Sequence, residues 1–153
     1  METNLLLLKD FGVTDVRIKK LVLRYPRCIA ENPERIKGFL NRVEKDFRVP
    51  RDSPIFLYGF LVLQRQTKST LDRKIGIFKR FGWSENDVLK MFQKQPYCVA
   101  LSEVRIQKAL HLFMNEFGFE TAYLVSHPAI FLYSIEKRVV PRMQVLKILD
   151  EKK

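Results

Sequence analysis

The chain has 153 residues, 46% of them hydrophobic, which suits a single folded domain with a core and excludes a disordered chain. Lys and Arg outnumber Asp and Glu by 28 to 17, and the resulting net charge of +11 favours a polyanionic partner such as nucleic acid. Two cysteines are too few for a disulfide framework, and no apolar run approaches the roughly 18 residues of a membrane span.

Apolar residues recur at helical spacing along the whole chain, and no stretch shows the alternation of a strand. The sequence therefore predicts an all-α protein. Caps and prolines divide it into helices with approximate bounds 1–10, 15–24, 33–46, 55–63, 71–80, 85–95, 103–116, 121–126 and 135–149. In the second helix we expect Val16, Leu21 and Val22 to face inward, and we expect Ser69 or Thr70 to cap the fifth.

One pattern recurs along the chain: Phe-Gly, a capping residue, an apolar stripe, a proline corner and a second cap. Gly12 and Pro26 are 14 positions apart, and so are Gly82 and Pro96. The copies start near residues 11, 47, 81 and 117, where four phenylalanines are spaced 36, 34 and 36, although the second copy lacks the glycine. A period in the 30s is typical of a helical-repeat solenoid. We therefore predict one domain, 1–153, of about four repeats.

Residues with catalytic chemistry do not form a recognisable site. His111 and His127 are the only histidines, and His127 stands at a corner position that holds Tyr25 or Gln95 in other copies. Cys28 and Cys98 share one repeat slot, which holds Ile130 in the last copy, so that slot is predicted to be buried and apolar. No phosphate-binding glycine loop or metal motif is present. We expect no enzyme activity, no metal and no cofactor.

Basic residues carry the functional prediction. A cation stands three positions after the cap of each second helix: Arg35, Arg105 and Lys137, joined by Arg73 if Thr70 is a cap. Because a first helical turn ordinarily prefers acids, this repeated exception indicates phosphate binding. Further cations complete the predicted nucleic-acid-binding set: Lys74, Lys108, Arg138 and Arg142. The alternative is that the first-turn cations form ion pairs between repeats, with Glu31, Glu103, Glu120 or Glu136.

Other cations lie further along the helices and at the corners, and many are expected simply to face solvent. They include Lys19, Lys20, Arg24, Arg27, Lys79, Arg80, Lys90, Lys94 and Lys147. Three tyrosines near the corners, Tyr25, Tyr97 and Tyr133, have the chemistry to stack on bases, although packing between repeats is the commoner role of such residues.

Two stretches resemble the mitochondrial transcription termination factor (mTERF) family, especially its plant members: Gly82-Trp83-Ser84 with Gln95-Pro96-Tyr97, and His127-Pro128 with Leu132-Tyr133-Ser134 through Pro141-Arg142. The resemblance implies a left-handed superhelix of repeats, each with two α-helices and a short 3₁₀ turn after the proline. It also implies a mitochondrial or chloroplast protein that binds double-stranded DNA, with some members acting on RNA. Since members usually carry more repeats, we expect the chain to be truncated at both ends.

The sequence thus favours a duplex-DNA-binding regulator of organelle transcription, of the termination type. Two alternatives stay open: an RNA-binding splicing or ribosome-biogenesis factor, and a protein-interaction solenoid in an organelle ribonucleoprotein. We expect no membrane partner, and a monomer unless exposed repeat ends self-associate.

Overall fold

A computed structural model describes residues 2–133, and this part of the chain is helical without strands. Its α-helices are α1 (Glu2–Asp10), α2 (Asp15–Arg24), α3 (Pro33–Lys45), α4 (Phe56–Gln64), α5 (Lys68–Arg80), α6 (Glu85–Lys94), α7 (Glu103–Leu110) and α8 (Thr121–Ser126). Three 3₁₀ helices, here called proline turns, are Pro26–Ile29, Pro96–Val99 and Pro128–Leu132, and a π-helix spans His111–Glu116. The all-α helical-repeat class is confirmed. The last predicted helix, with Lys137, Arg138 and Arg142, lies outside the described residues.

Two complete repeats have the predicted order of helix, proline turn and helix: α2 with α3, and α6 with α7. Local chemistry explains their boundaries. Ser84 and Asp87 form a capping box at the start of α6, in which each side chain accepts a hydrogen bond from the other residue's backbone N–H. Pro96 opens the second proline turn because it cannot continue α6.

The second copy departs from this plan, since α4 is followed by α5 with no 3₁₀ helix between them. The hydroxyl of Thr67 accepts a hydrogen bond from the Thr70 backbone N–H at 3.1 Å, and α5 begins at Lys68. The prediction of Ser69 or Thr70 as the cap is therefore wrong. Arg73 stands six positions after the true cap, not three, so it does not share the first-turn slot of Arg35 and Arg105.

A left-handed residue ends the helix that precedes each copy. Gly12, Gly82 and Gly118 have φ of 86°, 92° and 69°. In the second copy Arg48 takes this position with a φ of 55°, immediately after Phe47. The turn is thus preserved where glycine is missing, even though a side chain makes the left-handed conformation unfavourable.

Contacts divide the chain into two compact units, residues 1–71 and 72–153. In the first unit α3 packs on α4 around the fully buried rings of Phe56 and Phe60. In the second unit Phe113 lies edge-on to Phe131, with ring centroids 5.5 Å apart. Leu21 is buried as predicted, but Val16 is 65% exposed, so the expectation that it faces inward is wrong. Ile18 takes its place in the buried stripe of α2.

Candidate nucleic-acid interface

Arg105 lies in the first turn of α7. Its backbone N–H donates a hydrogen bond at 3.1 Å to the hydroxyl of Ser102, which caps the helix. The Arg105 guanidinium has hydrogen-bond partners within the protein. It donates hydrogen bonds at 3.2 Å to the carbonyl oxygens of Leu132 and Tyr133, at the end of the third proline turn. The last carbonyls of a helix lack backbone partners and carry partial negative charge, so a cation is favourable there. Arg105 is therefore used inside the fold.

Lys74 has a similar role in α5. The residue is 7% exposed, and its ammonium donates to the carbonyl oxygen of Val99, the last residue of the second proline turn, at 3.3 Å. Burial lowers the pKa of Lys74, and the nearby carboxylate of Glu103 opposes that shift. Lys74 thus holds the end of the second proline turn from within the fold.

The first proline turn receives a donor in the same way. The side-chain amide of Asn4 donates to the carbonyl oxygens of Ile29 at 2.6 Å and Glu31 at 2.8 Å. Asn4 and Ile29 are 25 positions apart, and so are Lys74 and Val99. Each described proline turn is thus held at its C-terminal end by a polar side chain from an earlier helix.

Arg35 and Arg73 are exposed and form ion pairs. Arg35 lies 3.6 Å from Glu31 with 64% of its side chain exposed, and Arg73 lies 3.3 Å from Glu103 with 59% exposed. The ion pair predicted between repeats is thus present for Arg73, whereas Arg35 pairs with Glu31, four positions before it in its own repeat. Exposed pairs contribute at most about 1 kcal/mol, so either arginine can exchange its carboxylate for a phosphate at little cost. Lys108 is also exposed, near the end of α7.

The structure brings only some of the predicted site residues together. Arg73 pairs with the carboxylate of Glu103, which also influences Lys74, so these three residues form one small cluster in the second unit. Arg35 belongs to the first unit. A second arrangement of cations, on the first helices of the repeats, was not in the predicted set.

A groove runs between α2 and α4 in the first unit, and we call it the α2–α4 groove. It consists of two adjoining cavities that share Arg24, Tyr25 and Leu61: one of about 170 Å³, which Lys20 lines, and one of about 430 Å³. The guanidinium carbons of Arg24 and Arg65 lie 5.7 and 5.3 Å from the centre of the Tyr25 ring, within the range of cation–π contacts. The cations lining the groove are Arg17, Lys20, Arg24, Arg27 and Arg65.

The second unit has a corresponding groove between α6 and α8, the α6–α8 groove, with a volume of about 370 Å³. Lys90, Gln93 and Lys94 line one side, and Ala122, Val125 and Ser126 line the other. Asp87 also lies on its lining, where its carboxylate accepts the Ser84 backbone N–H at 2.9 Å.

The two grooves share a register. Lys20 and Arg24 in α2 are each 70 positions before Lys90 and Lys94 in α6, the same shift that relates Gly12 to Gly82. Among residues 2–133, no carboxylate lies within 4.0 Å of any of these four cations. The equal shift is visible in the sequence and is the signal that identifies these cations.

The cysteine slot is buried as predicted. Cys28 and Cys98 are 5% and 0% exposed, and burial raises the pKa of their thiols to about 11 and about 12. The Cys98 thiol donates to the carbonyl oxygen of Pro128 at 3.1 Å. Within the described part of the chain, no three His, Cys, Asp or Glu side chains cluster as metal ligands would. Nor does any helix there combine the length and apolar character needed to span a bilayer.

Comparison with known proteins agrees with this architecture. A family model described as mTERF matches residues 1–152, so the chain belongs to the mTERF family. A relative, "Transcription termination factor MTERF8, chloroplastic" of Arabidopsis thaliana, is 21% identical over 140 residues, which cover 90% of this chain and 27% of that protein. The chain thus spans about a quarter of the relative's length. No solved structure matches the chain.

Proposed function

We propose that this chain is a nucleic-acid-binding part of an organelle gene-expression regulator of the transcription-termination type, with double-stranded DNA as its ligand. Membership in the mTERF family and the name of the chloroplast relative support the organelle and the process. Mitochondrion and chloroplast both remain in the proposal, and the relative favours the chloroplast. The proposed role is binding without catalysis.

The observation that carries the proposal is positive charge that the protein does not neutralise itself. The chain has 11 more cations than carboxylates, and exposed cations such as Lys20, Lys90 and Lys94 have no carboxylate within 4.0 Å among the described residues. Duplex DNA carries one negative charge per about 1.7 Å of its axis, and cations that replace its counterions gain affinity from counterion release.

The predicted site residues divide into two roles in this proposal. Arg35, Arg73 and Lys108 are exposed and contact phosphates directly, together with the predicted Lys137, Arg138 and Arg142. Lys74 and Arg105 contribute indirectly, because they hold the proline turns that separate the helices of each repeat. Contacts to phosphates alone predict binding that tolerates changes of base sequence.

Fluorescence anisotropy with labelled oligonucleotides tests the proposal. Matched duplex DNA, duplex RNA and single strands are titrated between 50 and 200 mM salt. If about six cations contact duplex phosphates, the slope of log affinity against log salt is about −5. Binding that does not change with salt contradicts the proposal, and tighter binding of RNA than of DNA assigns the chain to the alternative below.

The alternative function is an RNA-binding splicing or ribosome-biogenesis factor, and one feature favours it. Tyr25 is half-buried beside the α2–α4 groove, and the guanidinium groups of Arg24 and Arg65 lie within about 6 Å of its ring. Aromatic rings and guanidinium planes are the surfaces on which unpaired RNA bases stack. Replacing Tyr25 by Leu weakens single-stranded RNA binding more than duplex DNA binding if this alternative is correct.

A further inference from the structure

We propose that the phosphate backbone is held chiefly in the α2–α4 and α6–α8 grooves, by Lys20 and Arg24 in one unit and Lys90 and Lys94 in the other. This inference rests on the proposed function and names its binding surface. It moves the main contacts from the first turns of the second helices, where the sequence pattern had placed them, to the first helices of the repeats.

The four groove cations are placed regularly along the chain. Lys20 and Arg24 are four positions apart on α2, and Lys90 and Lys94 are four apart on α6. Residues at this spacing lie on one helix face about 5–6 Å apart, so each pair presents two positive charges side by side. The same pair recurs after 70 residues, and each time it lines a groove against the next first helix. Within each unit, two adjacent positive charges match two neighbouring phosphates of one strand.

The cations at the two locations differ in the contacts they already make within the fold. Arg105 and Lys74 donate to backbone carbonyls, while Arg35 and Arg73 face Glu31 and Glu103. The four groove cations have neither arrangement: no hydrogen bond to a carbonyl and no carboxylate partner is recorded for them in the described residues. Lys20, Lys90 and Lys94 therefore bind a phosphate without first breaking a contact within the fold, and Arg24 gives up only its cation–π contact with Tyr25.

The walls of both grooves have a chemistry that suits a nucleic-acid strand. Each groove combines cations with apolar side chains, Leu57 and Leu61 in one and Val125 in the other, which suit the sugar edges of a strand. Carboxylates on the lining are occupied: Glu31 pairs with Arg35, and Asp87 accepts the Ser84 N–H. The net positive lining favours a nucleic-acid backbone over an acidic protein helix because phosphates repeat along it at every nucleotide.

The experiment uses the full chain and charge-matched variants. Lys20→Ala/Arg24→Ala and Lys90→Ala/Lys94→Ala each remove two charges from one groove. The control, Lys19→Ala/Lys37→Ala, removes two exposed charges that line neither groove, one of them from the same helix α2. All six side chains are exposed, so folding is retained, and circular dichroism checks this. Binding of duplex DNA is measured by anisotropy at 50 to 200 mM salt, with poly-glutamate as a competing polyanion.

We expect each groove variant to bind DNA about tenfold or more weakly near 0.1 M salt, with a salt slope reduced by about 2, while the control changes affinity by about twofold or less. If the groove variants and the control weaken binding equally, only net charge matters and the inference is wrong, although the proposed function stands. Displacement of DNA by poly-glutamate at equal charge concentration also overturns it, in favour of an acidic protein partner. If the unaltered chain shows no salt-dependent binding, the proposed function and this inference both fail.

Discussion

The guanidinium of Arg105 lies 3.2 Å from the carbonyl oxygen of Leu132, 27 residues further along the chain. The cation thus stands in the first turn of α7 because of a tertiary requirement, in a position where local helix electrostatics favours an acid. Lys74 meets the same requirement at Val99, and Asn4 meets it at Ile29 without a charge. In each case, a side chain donates a hydrogen bond to a carbonyl oxygen at the C-terminal end of a proline turn.

Arg105 and Arg35 occupy matched positions, so substitutions at both separate structural from surface roles. Arg105→Ala leaves the carbonyl groups of Leu132 and Tyr133 without their donor and should lower the free energy of unfolding by about 1–3 kcal/mol. Arg35→Ala removes an exposed ion pair with Glu31 and an exposed cation–π contact with Phe39, and should change the free energy of unfolding by about 1 kcal/mol or less. Urea unfolding followed by the fluorescence of Trp83, the single tryptophan, measures both. Equal losses would show that Arg105 does not hold the third proline turn.

Arg48 predicts a stabilising substitution. Its φ of 55° is a left-handed conformation that costs a residue with a side chain roughly 1–2 kcal/mol relative to the right-handed one. Arg48→Gly relieves this cost, but glycine also gains conformational freedom in the unfolded chain, which offsets part of the gain. The free energy of unfolding should therefore rise by only about 0.5–1 kcal/mol.

The reciprocal control is Gly82→Ala, which places a side chain at φ 92°. A Cβ atom there meets nothing within 4 Å, so the expected loss of about 1–2 kcal/mol is conformational, not steric. Thermal and urea unfolding report both variants. A destabilised Arg48→Gly would mean that contacts of the Arg48 side chain outweigh its backbone conformation.

The Cys98 thiol predicts a pH dependence of stability. Burial raises its pKa to about 12, from 9.0 for an exposed thiol, so the native state keeps the proton that the unfolded state loses above pH 9. The free energy of unfolding should then fall by about 1.4 kcal/mol per pH unit from this thiol above pH 9. The stabilisation is fully present below pH 9 and disappears as the pH approaches the native pKa.

Cys98→Val isolates that contribution, because the other titrating groups are common to both chains. The difference in unfolding free energy between the unaltered chain and Cys98→Val should shrink by about 1–2 kcal/mol between pH 8 and pH 10.5. Denaturation in urea at a series of pH values provides the measurement. A difference that stays constant over this range would show that the thiol titrates normally in the folded protein.

The order of helices, caps and proline corners was predicted well from the sequence. Thr14, Asn32, Ser84 and Ser102 cap helices as expected, because a cap accepts N–H groups only two or three residues away. Proline likewise ends α2 and α6 through a clash with its own preceding turn. Such effects act within one turn of chain, so residue order is enough to specify them.

The use of each cation, by contrast, was settled by contacts between residues that are distant along the chain. Whether Lys74 is buried depends on where the carbonyl of Val99 lies, 25 residues away, and the exposure of Val16 depends on where neighbouring helices pack against α2. Arg73 does not lie in the predicted position three residues after a cap, because Thr67, not Thr70, caps α5. The sequence shows where the cations stand along the chain. Only the packing of the helices determines which of them are hydrogen-bonded to a carbonyl or paired with a carboxylate.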